Sequence, residues 1–231
     1  MSIDTIRHLV VLSHPMRDSF NHQIAKTYCE TARECGQVVL LRDLYAIRFD
    51  PVLEYVGQLP DLQMLDDVAA IQTCDVLTFI YPIWFGLPPA MIKGYVDRVL
   101  GAGFQPRPDQ PRADSPFLAG KRMLNISTSA SSAVWMAEQG QLSALRDGFD
   151  HYLATIFGLA SAEHIHIDSV MPDMSSGYAE EQLERVREVT RAMCADALNV
   201  AHRKEAADVK ARQQLHLRGR EEKADAGLFR P

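Results

Sequence analysis

Two stretches of this 231-residue chain carry side chains that could do chemistry. The first, SHPMRDSFNHQIA from Ser13 to Ala25, sets His14, Ser19, Phe20 and Asn21 at the start of an apolar helical period. Ser19 or Asp18 can cap that helix, and its N-terminal amides and dipole favour a phosphate-like anion without any lysine. Asp18 opposes such an anion unless it points to solvent. Taken alone, Ser19 and Asn21 read equally well as simple caps, and His14 as a turn histidine.

The second stretch, YPIWFGLPPAMIKGYVDRV from Tyr81 to Val99, presents Pro82, Ile83, Trp84 and Phe85 before Pro88 and Pro89 restart a helix. Proline at a first helical turn wastes no amide and biases its predecessor to extended backbone, so the loop is stiff. A stiff apolar loop suits a flat aromatic ring, with backbone N–H groups on the ring's polar edge. Core packing is the competing reading for either aromatic by itself. Lys93 and Arg98 are expected to face solvent or cap carbonyls.

The elements that position these loops follow from hydrophobic periodicity. Five apolar runs read as strands: IRHLVVLS, QVVLLRDL, CDVLTFIYP, KRMLNIST and AEHIHIDSV. Helical patterns alternate with them at 20–35, 63–73, 89–100, 139–157 and 178–202. That alternation predicts an α/β fold, a doubly wound five-stranded parallel sheet with helices on both faces. Ligands of such sheets gather outside the carboxyl ends of the strands, where both chemical loops fall. Neither loop carries G-x-G-x-x-G or a Walker lysine, so a flavodoxin-like arrangement fits best.

Composition narrows the partners. A formal net charge of −6 gives no basic field for nucleic acid or an anionic membrane. Cys29, Cys35, Cys74 and Cys194 form no Cys-x-x-Cys pair or zinc spacing, and read as reduced, mostly buried thiols. No run approaches the roughly 20 apolar residues of a membrane span, and the N-terminus lacks a secretory pattern. A cytoplasmic protein without stable membrane insertion is expected.

HPMRDSFN, DLYAIRFDPVL and YPIWFGLPPAMIKGYVDRV, in that order and spacing, resemble the NAD(P)H:quinone oxidoreductase family. The resemblance implies a flavodoxin-like homodimer with a flavin at each subunit interface, reduced by NAD(P)H and reoxidised by a quinone-like acceptor in a two-electron ping-pong cycle. It places His14, Ser19, Phe20 and Asn21 around the flavin pyrophosphate, and Pro82, Ile83, Trp84 and Phe85 along the isoalloxazine. Ser127, Thr128, Ser129 and Ala130 stand where the family has a Thr-Thr-Gly-Gly loop that also meets the ring. The His and Ser-Phe-Asn pattern looks like the FAD-binding members, with FMN as the alternative.

Two departures stand out. Ser129 and Ala130 replace glycines that allow close backbone approach, so the loop should sit further back or turn differently. The family's DT-diaphorase carries a Tyr and a His beyond that loop, where this chain has Trp135 and Gln139, so the assisting pair is expected to be absent. Ser127, Thr128 or Gln139 would then meet charge near the ring.

The chain divides into a flavin-binding domain, 1–205, and a charged tail or arm, 206–231. The tail reads as a solvated helix, or as an arm docking Leu228 and Phe229 on a partner subunit. Some relatives in this family regulate potassium-efflux transporters, which makes a flavin-binding regulatory subunit the alternative function. A one-electron carrier is the third reading, against which its length counts.

Overall fold

The computed structural model describes residues 5–54, 62–101 and 118–227. Residues 55–61 of the excursion after the second strand lie outside it, as do the Pro-rich segment 102–117 and the Leu228 and Phe229 pair.

Five strands, β1 (Arg7–Leu12), β2 (Val38–Asp43), β3 (Val76–Pro82), β4 (Arg122–Thr128) and β5 (Ser161–Ile167), form one parallel sheet in the order β2-β1-β3-β4-β5. The strand order reverses between β1 and β3, so a crevice opens at their carboxyl ends. There the Ser13 amide donates to the Ile80 carbonyl at 2.9 Å.

All residues of β3 and β4 are buried, because helices cover both faces of the sheet. α1 (Phe20–Glu34) and α7 (Ser176–Gly227) cover one face, where Val10, Leu12, Ile80, Leu124 and Ile126 meet Ile24, Tyr28 and Val186. α2 (Leu62–Thr73), α3 (Ala90–Tyr95) and α6 (Tyr152–Phe157) cover the other, against Leu9, Val11, Leu77, Phe79 and Met123. Each fully buried side chain of this kind stabilises the fold by roughly 1.5–3 kcal/mol.

The helix periods match these elements, with three differences. α4 (Ala133–Glu138) is a short helix ahead of the expected one, and Ser132 caps it by accepting from the Trp135 amide. The run from α5 (Gln141–Leu145) to α6 passes through a π turn at Arg146–His151, which rotates Asp150 into the interior, where it is 2 % exposed. α7 continues as one helix through Gly227, across the 205/206 boundary drawn from charge. Its i,i+3 pair Glu184 and Arg187 exemplifies the solvated pairing that carries charged helix surfaces.

Arg98 is buried, donating to the Asp50 carbonyl and stacking 5.5 Å from the centre of the Phe49 ring. Lys93 is exposed and pairs with Asp97. The excursion also presses on α3: a Cβ on Gly94 would lie 2.3 Å from the Pro51 carbonyl oxygen, so only glycine fits. The segment after β2 thus fixes the helix that follows the aromatic loop.

Candidate functional site

Ser19 caps α1, its Oγ accepting from the His22 amide at 3.4 Å. Asp43, at the end of β2, accepts from His22 Nε2 at 3.1 Å, which leaves Nδ1 to accept from the Ser19 hydroxyl at 2.8 Å. The Tyr45 and Ala46 amides hold the other Asp43 oxygen. The helix start is therefore braced by an Asp43, His22 and Ser19 chain. Asp18 is exposed, as an anion site at this position requires. The His14 ring lies 6.3 Å from both His22 and Trp84, joining the first loop to the second. Burial lowers the His14 pKa, so this imidazole favours its neutral form.

The aromatic loop is a tight turn. The Trp84 and Leu87 amides and carbonyls bond each other at 3.0 and 3.2 Å, with positive φ at Phe85 (51°) and Gly86 (81°). Positive φ at both central residues is the geometry of a type I′ turn, which glycine accepts readily and phenylalanine only with strain. Phe85 is fully exposed at the tip and Trp84 is 40 % exposed, so neither is a core residue. Pro82 is buried at the strand end, and the Ile83 amide donates to the Thr128 carbonyl at 2.7 Å. Of the backbone donors expected to face a ring edge, those of Ile83, Trp84 and Leu87 are therefore already used. The Phe85 and Gly86 amides make no bond among the described residues.

The third loop departs from expectation. Ser127 and Thr128 are buried, so their hydroxyls lie beneath the open edge. Strand alternation turns them to opposite faces: Thr128 accepts from Asn21 Nδ2 at 2.9 Å under α1, whereas Ser127 points under the π turn. Asn21 is thus a link between loops, with its amide nitrogen already engaged. Ser129 and Ala130 keep negative φ, so the turn needs no glycine at either position. Gln139 and Ala130 are exposed.

The loop has histidine partners that lie away from the Trp135 and Gln139 positions. His164 and His166 reach it from β5, where the His-Ile-His spacing puts both on one face. Ser127 Oγ lies 2.6 Å from His164 Nε2 and 2.9 Å from His166 Nδ1, and Ser129 Oγ lies 3.0 Å from His166 Nε2. Asp150 accepts from His164 Nδ1 at 2.6 Å and from Asn125 Nδ2 at 2.5 Å. Burial, then the neighbouring His164, pushes His166 down to about 4. AEHIHI carried the signal for the two histidines, whereas nothing local marked Asp150.

Asp168, just past β5, ties the same edge together by accepting from the Ala133 amide at 2.8 Å and from the Tyr178 hydroxyl at 3.1 Å. Burial alone would raise its pKa, and these donors outweigh it, holding the carboxyl below its usual range.

The large exposed apolar side chains Met16, Trp84, Phe85, Leu87, Val134 and Trp135 all stand on or beside the loops following β1, β3 and β4. An apolar rim over three loops, next to a helix N-terminus free of lysine, fits a planar aromatic group carrying a phosphate. Away from this edge, an apolar cleft of about 240 Å³ runs between α3 and α6, lined by Val96, Phe149, Tyr152, Leu153 and Ile156.

A protein of *Haemophilus influenzae* named as an uncharacterized NAD(P)H oxidoreductase is 30% identical over 167 residues, covering 68% of this chain and 81% of its own length. The NAD(P)H dehydrogenase [quinone] 1 of *Cavia porcellus* is 28% identical over 153 residues, covering 56% of this chain. The match spans only 55% of that relative's length. The solved NAD(P)H:quinone oxidoreductase of *Methanothermobacter marburgensis* superposes with a TM-score of 0.69 at 20% identity, over 82% of this chain and 96% of that one, and supports the fold. Residues 6–215 match the family described by a flavodoxin-like fold, and with the parallel sheet, its switch point and these relatives the chain belongs to that family.

Proposed function

We propose that this chain is a flavin-dependent NAD(P)H:quinone oxidoreductase. The observation that carries the reading is the convergence of His14, Ser19, Trp84, Phe85 and Ser129 on the three loops at the strand-order switch. Bound flavin would supply the redox chemistry, accepting a hydride from NAD(P)H and passing two electrons to a quinone in a ping-pong cycle.

The chain's own residues bind, orient and exclude water. The α1 N-terminus, set by Ser19 and flanked by His14 and Phe20, receives the phosphates. Asn21 acts through Thr128, holding the first and third loops together. Pro82 and Ile83 anchor the aromatic turn to β4, so that Trp84 and Phe85 present apolar surface to the ring. The backbone from Ser127 to Ala130 forms the opposing wall, with the Ser127, Thr128 and Ser129 side chains buried behind it.

FAD is the proposed flavin and FMN the alternative, because HPMRD offers few of the hydroxyls that cradle a terminal phosphate. The cleft between α3 and α6, with Tyr152 exposed at its rim, supports a homodimer. Among the described residues no helix is long and apolar enough to cross a membrane. We place the protein in the cytoplasm.

Visible absorption of the purified protein, cofactor extraction and NAD(P)H oxidation with benzoquinone test the reading together. A flavin spectrum with acceptor-dependent oxidation is expected. Protein that takes up neither FAD nor FMN and leaves NAD(P)H unoxidised overturns it.

A further inference from the structure

Asp150, His164, Ser127, His166 and Ser129 form one unbroken chain of contacts between 2.6 and 3.0 Å, running from the interior to Ser129, which is 7 % exposed and precedes the exposed Ala130. The donors and acceptors on it can be counted. Asp150 accepts at both oxygens, one from Asn125 and one from His164 Nδ1, so that nitrogen carries a proton. Each serine has one proton to give.

With both imidazoles neutral, one arrangement satisfies the chain: Ser127 donates to His164 Nε2, His166 Nδ1 donates to Ser127, and Ser129 donates to His166 Nε2. Ser129 then cannot also donate to the Ser131 carbonyl, which lies 2.8 Å away. Any other arrangement with both imidazoles neutral turns two lone pairs toward each other at a short contact.

One added proton changes every direction. His164 Nε2 donates to Ser127, Ser127 to His166 Nδ1, His166 Nε2 to Ser129, and Ser129 to the Ser131 carbonyl. All the short contacts are then hydrogen bonds, and the imidazolium faces the Asp150 carboxylate at 2.6 Å. With His166 neutral, as its burial favours, the side chains hold one of two complete proton arrangements, differing by a single proton.

We propose that these residues are a one-proton store and relay that delivers its proton at Ser129 to the oxygen of the reduced acceptor. The proposal rests on the quinone reductase reading. In that reaction NAD(P)H supplies a hydride, two electrons and one proton, and the hydroquinone needs one proton more. On delivery the Ser129 O–H bond breaks and its proton passes to the acceptor. His166 Nε2–H passes to Ser129, Ser127 O–H to His166 Nδ1, and His164 Nε2–H to Ser127. Water then returns one proton to the chain. Ser129 meets the acceptor and would be catalytic, while His164, His166, Ser127 and Asp150 act through it as positioning and relay residues.

The surroundings agree with a single charge on the pair. Tyr81 faces His164 from β3 with ring centres 6.4 Å apart, and burial raises its phenol well above the usual value, so it does not compete as a base. Asp168, Arg146 and Arg185 act on His166, and Arg185 donates to its backbone carbonyl at 3.1 Å. Burial lowers the His166 pKa and favours the neutral form of this second imidazole.

The first test needs no variant and no flavin. Long-range proton–nitrogen NMR of the ¹⁵N-histidine-labelled full chain should show His164 protonated on both nitrogens and His166 protonated on Nε2. On raising the pH, His164 should lose its Nε2 proton and His166 should move its proton to Nδ1 in the same step. Asp150→Asn, its oxygen held by Asn125 and its amide turned to His164 Nδ1, should keep His166 in the Nε2 tautomer as the pH is raised. A His166 tautomer that ignores His164 in the titration overturns the relay.

The second test compares benzoquinone, which takes protons, with ferricyanide, which takes only electrons. His164→Gln should lower the ratio of the two turnover rates by about tenfold or more. An unchanged ratio overturns proton delivery. Failure to oxidise NAD(P)H with either acceptor overturns the reductase reading and leaves the coupled titration standing as its own result.

Discussion

The same three residue types meet twice in this molecule, and water decides what each meeting is for. Asp43, His22 and Ser19 brace the start of α1, with the His22 and Asp43 side chains 19 % and 18 % exposed. Asp150, His164 and Ser127 lie under the π turn, where the pair is 4 % and 2 % exposed. At the wet site solvent can replace a lost partner, so the chain serves as a helix cap. At the dry site a lost partner leaves a charge or a lone pair unmet, so every proton must be placed. Local chemistry is shared; dielectric environment is not.

The largest contrast should come from the acids. Asp150→Ala strands His164 and Asn125 in the interior and should cost about 3–5 kcal/mol in urea denaturation. Asp43→Ala should cost about 1 kcal/mol by the same measurement. Equal losses would dissolve the distinction between the sites.

The serines should repeat the contrast more weakly. Ser127→Ala leaves nitrogens of two imidazoles without their shared partner, costing about 1–3 kcal/mol. Ser19→Ala removes only the cap of α1, about 1 kcal/mol.

Acid should find the dry site through His166. The unfolded chain protonates this imidazole near 6.5, whereas the folded chain resists until about 4. Its contribution is therefore complete above about 6.5 and is lost as pH falls through that window, because the unfolded state binds more protons there. The loss should amount to about 1–2 kcal/mol once screening of the partly exposed ring is allowed for. In His166→Asn, the melting temperature should fall less steeply between pH 6.5 and 4.

The smallest change concerns the turn between the sites. Phe85→Gly removes the strain of φ 51° from a side chain that buries nothing, and should stabilise the chain by about 1 kcal/mol in thermal unfolding. Flavin affinity should fall in the same variant if Phe85 presents apolar surface to the ring. A neutral or destabilising result would show that the turn is not strained.

Much of the fold was legible because its signals are local. The runs at β1 and β3 are mostly apolar, as strands covered on both faces should be, and Ser19 with Gly36 marked the bounds of α1. The loops at the carboxyl ends followed from the βα alternation. What their residues touch did not follow. Asn21 and Thr128 are 107 positions apart and bond only because β1 and β4 flank β3. Ser127 looked like part of the loop surface, yet the pleat turns it inward.

The histidine pair shows the limit most plainly. Trp135 and Gln139 were compared with the family's assisting residues by counting along the chain, while His164 and His166 enter from a neighbouring strand in parallel register, Asn125 opposite His164 and Ser127 opposite His166. Asp150 depends on a π turn, which adds a residue to one helical turn and shifts the face that follows without any mark in composition.

By itself, then, the amino-acid sequence determined the strands, most helices, the order of the sheet's connections and the two loops where a ligand belongs, because periodicity and capping act over a few neighbours. Only the tertiary structure decided which Asp, His and Ser would share protons and which would merely cap a helix. That choice depends on strand register and exclusion of water, properties that exist only once distant segments have packed.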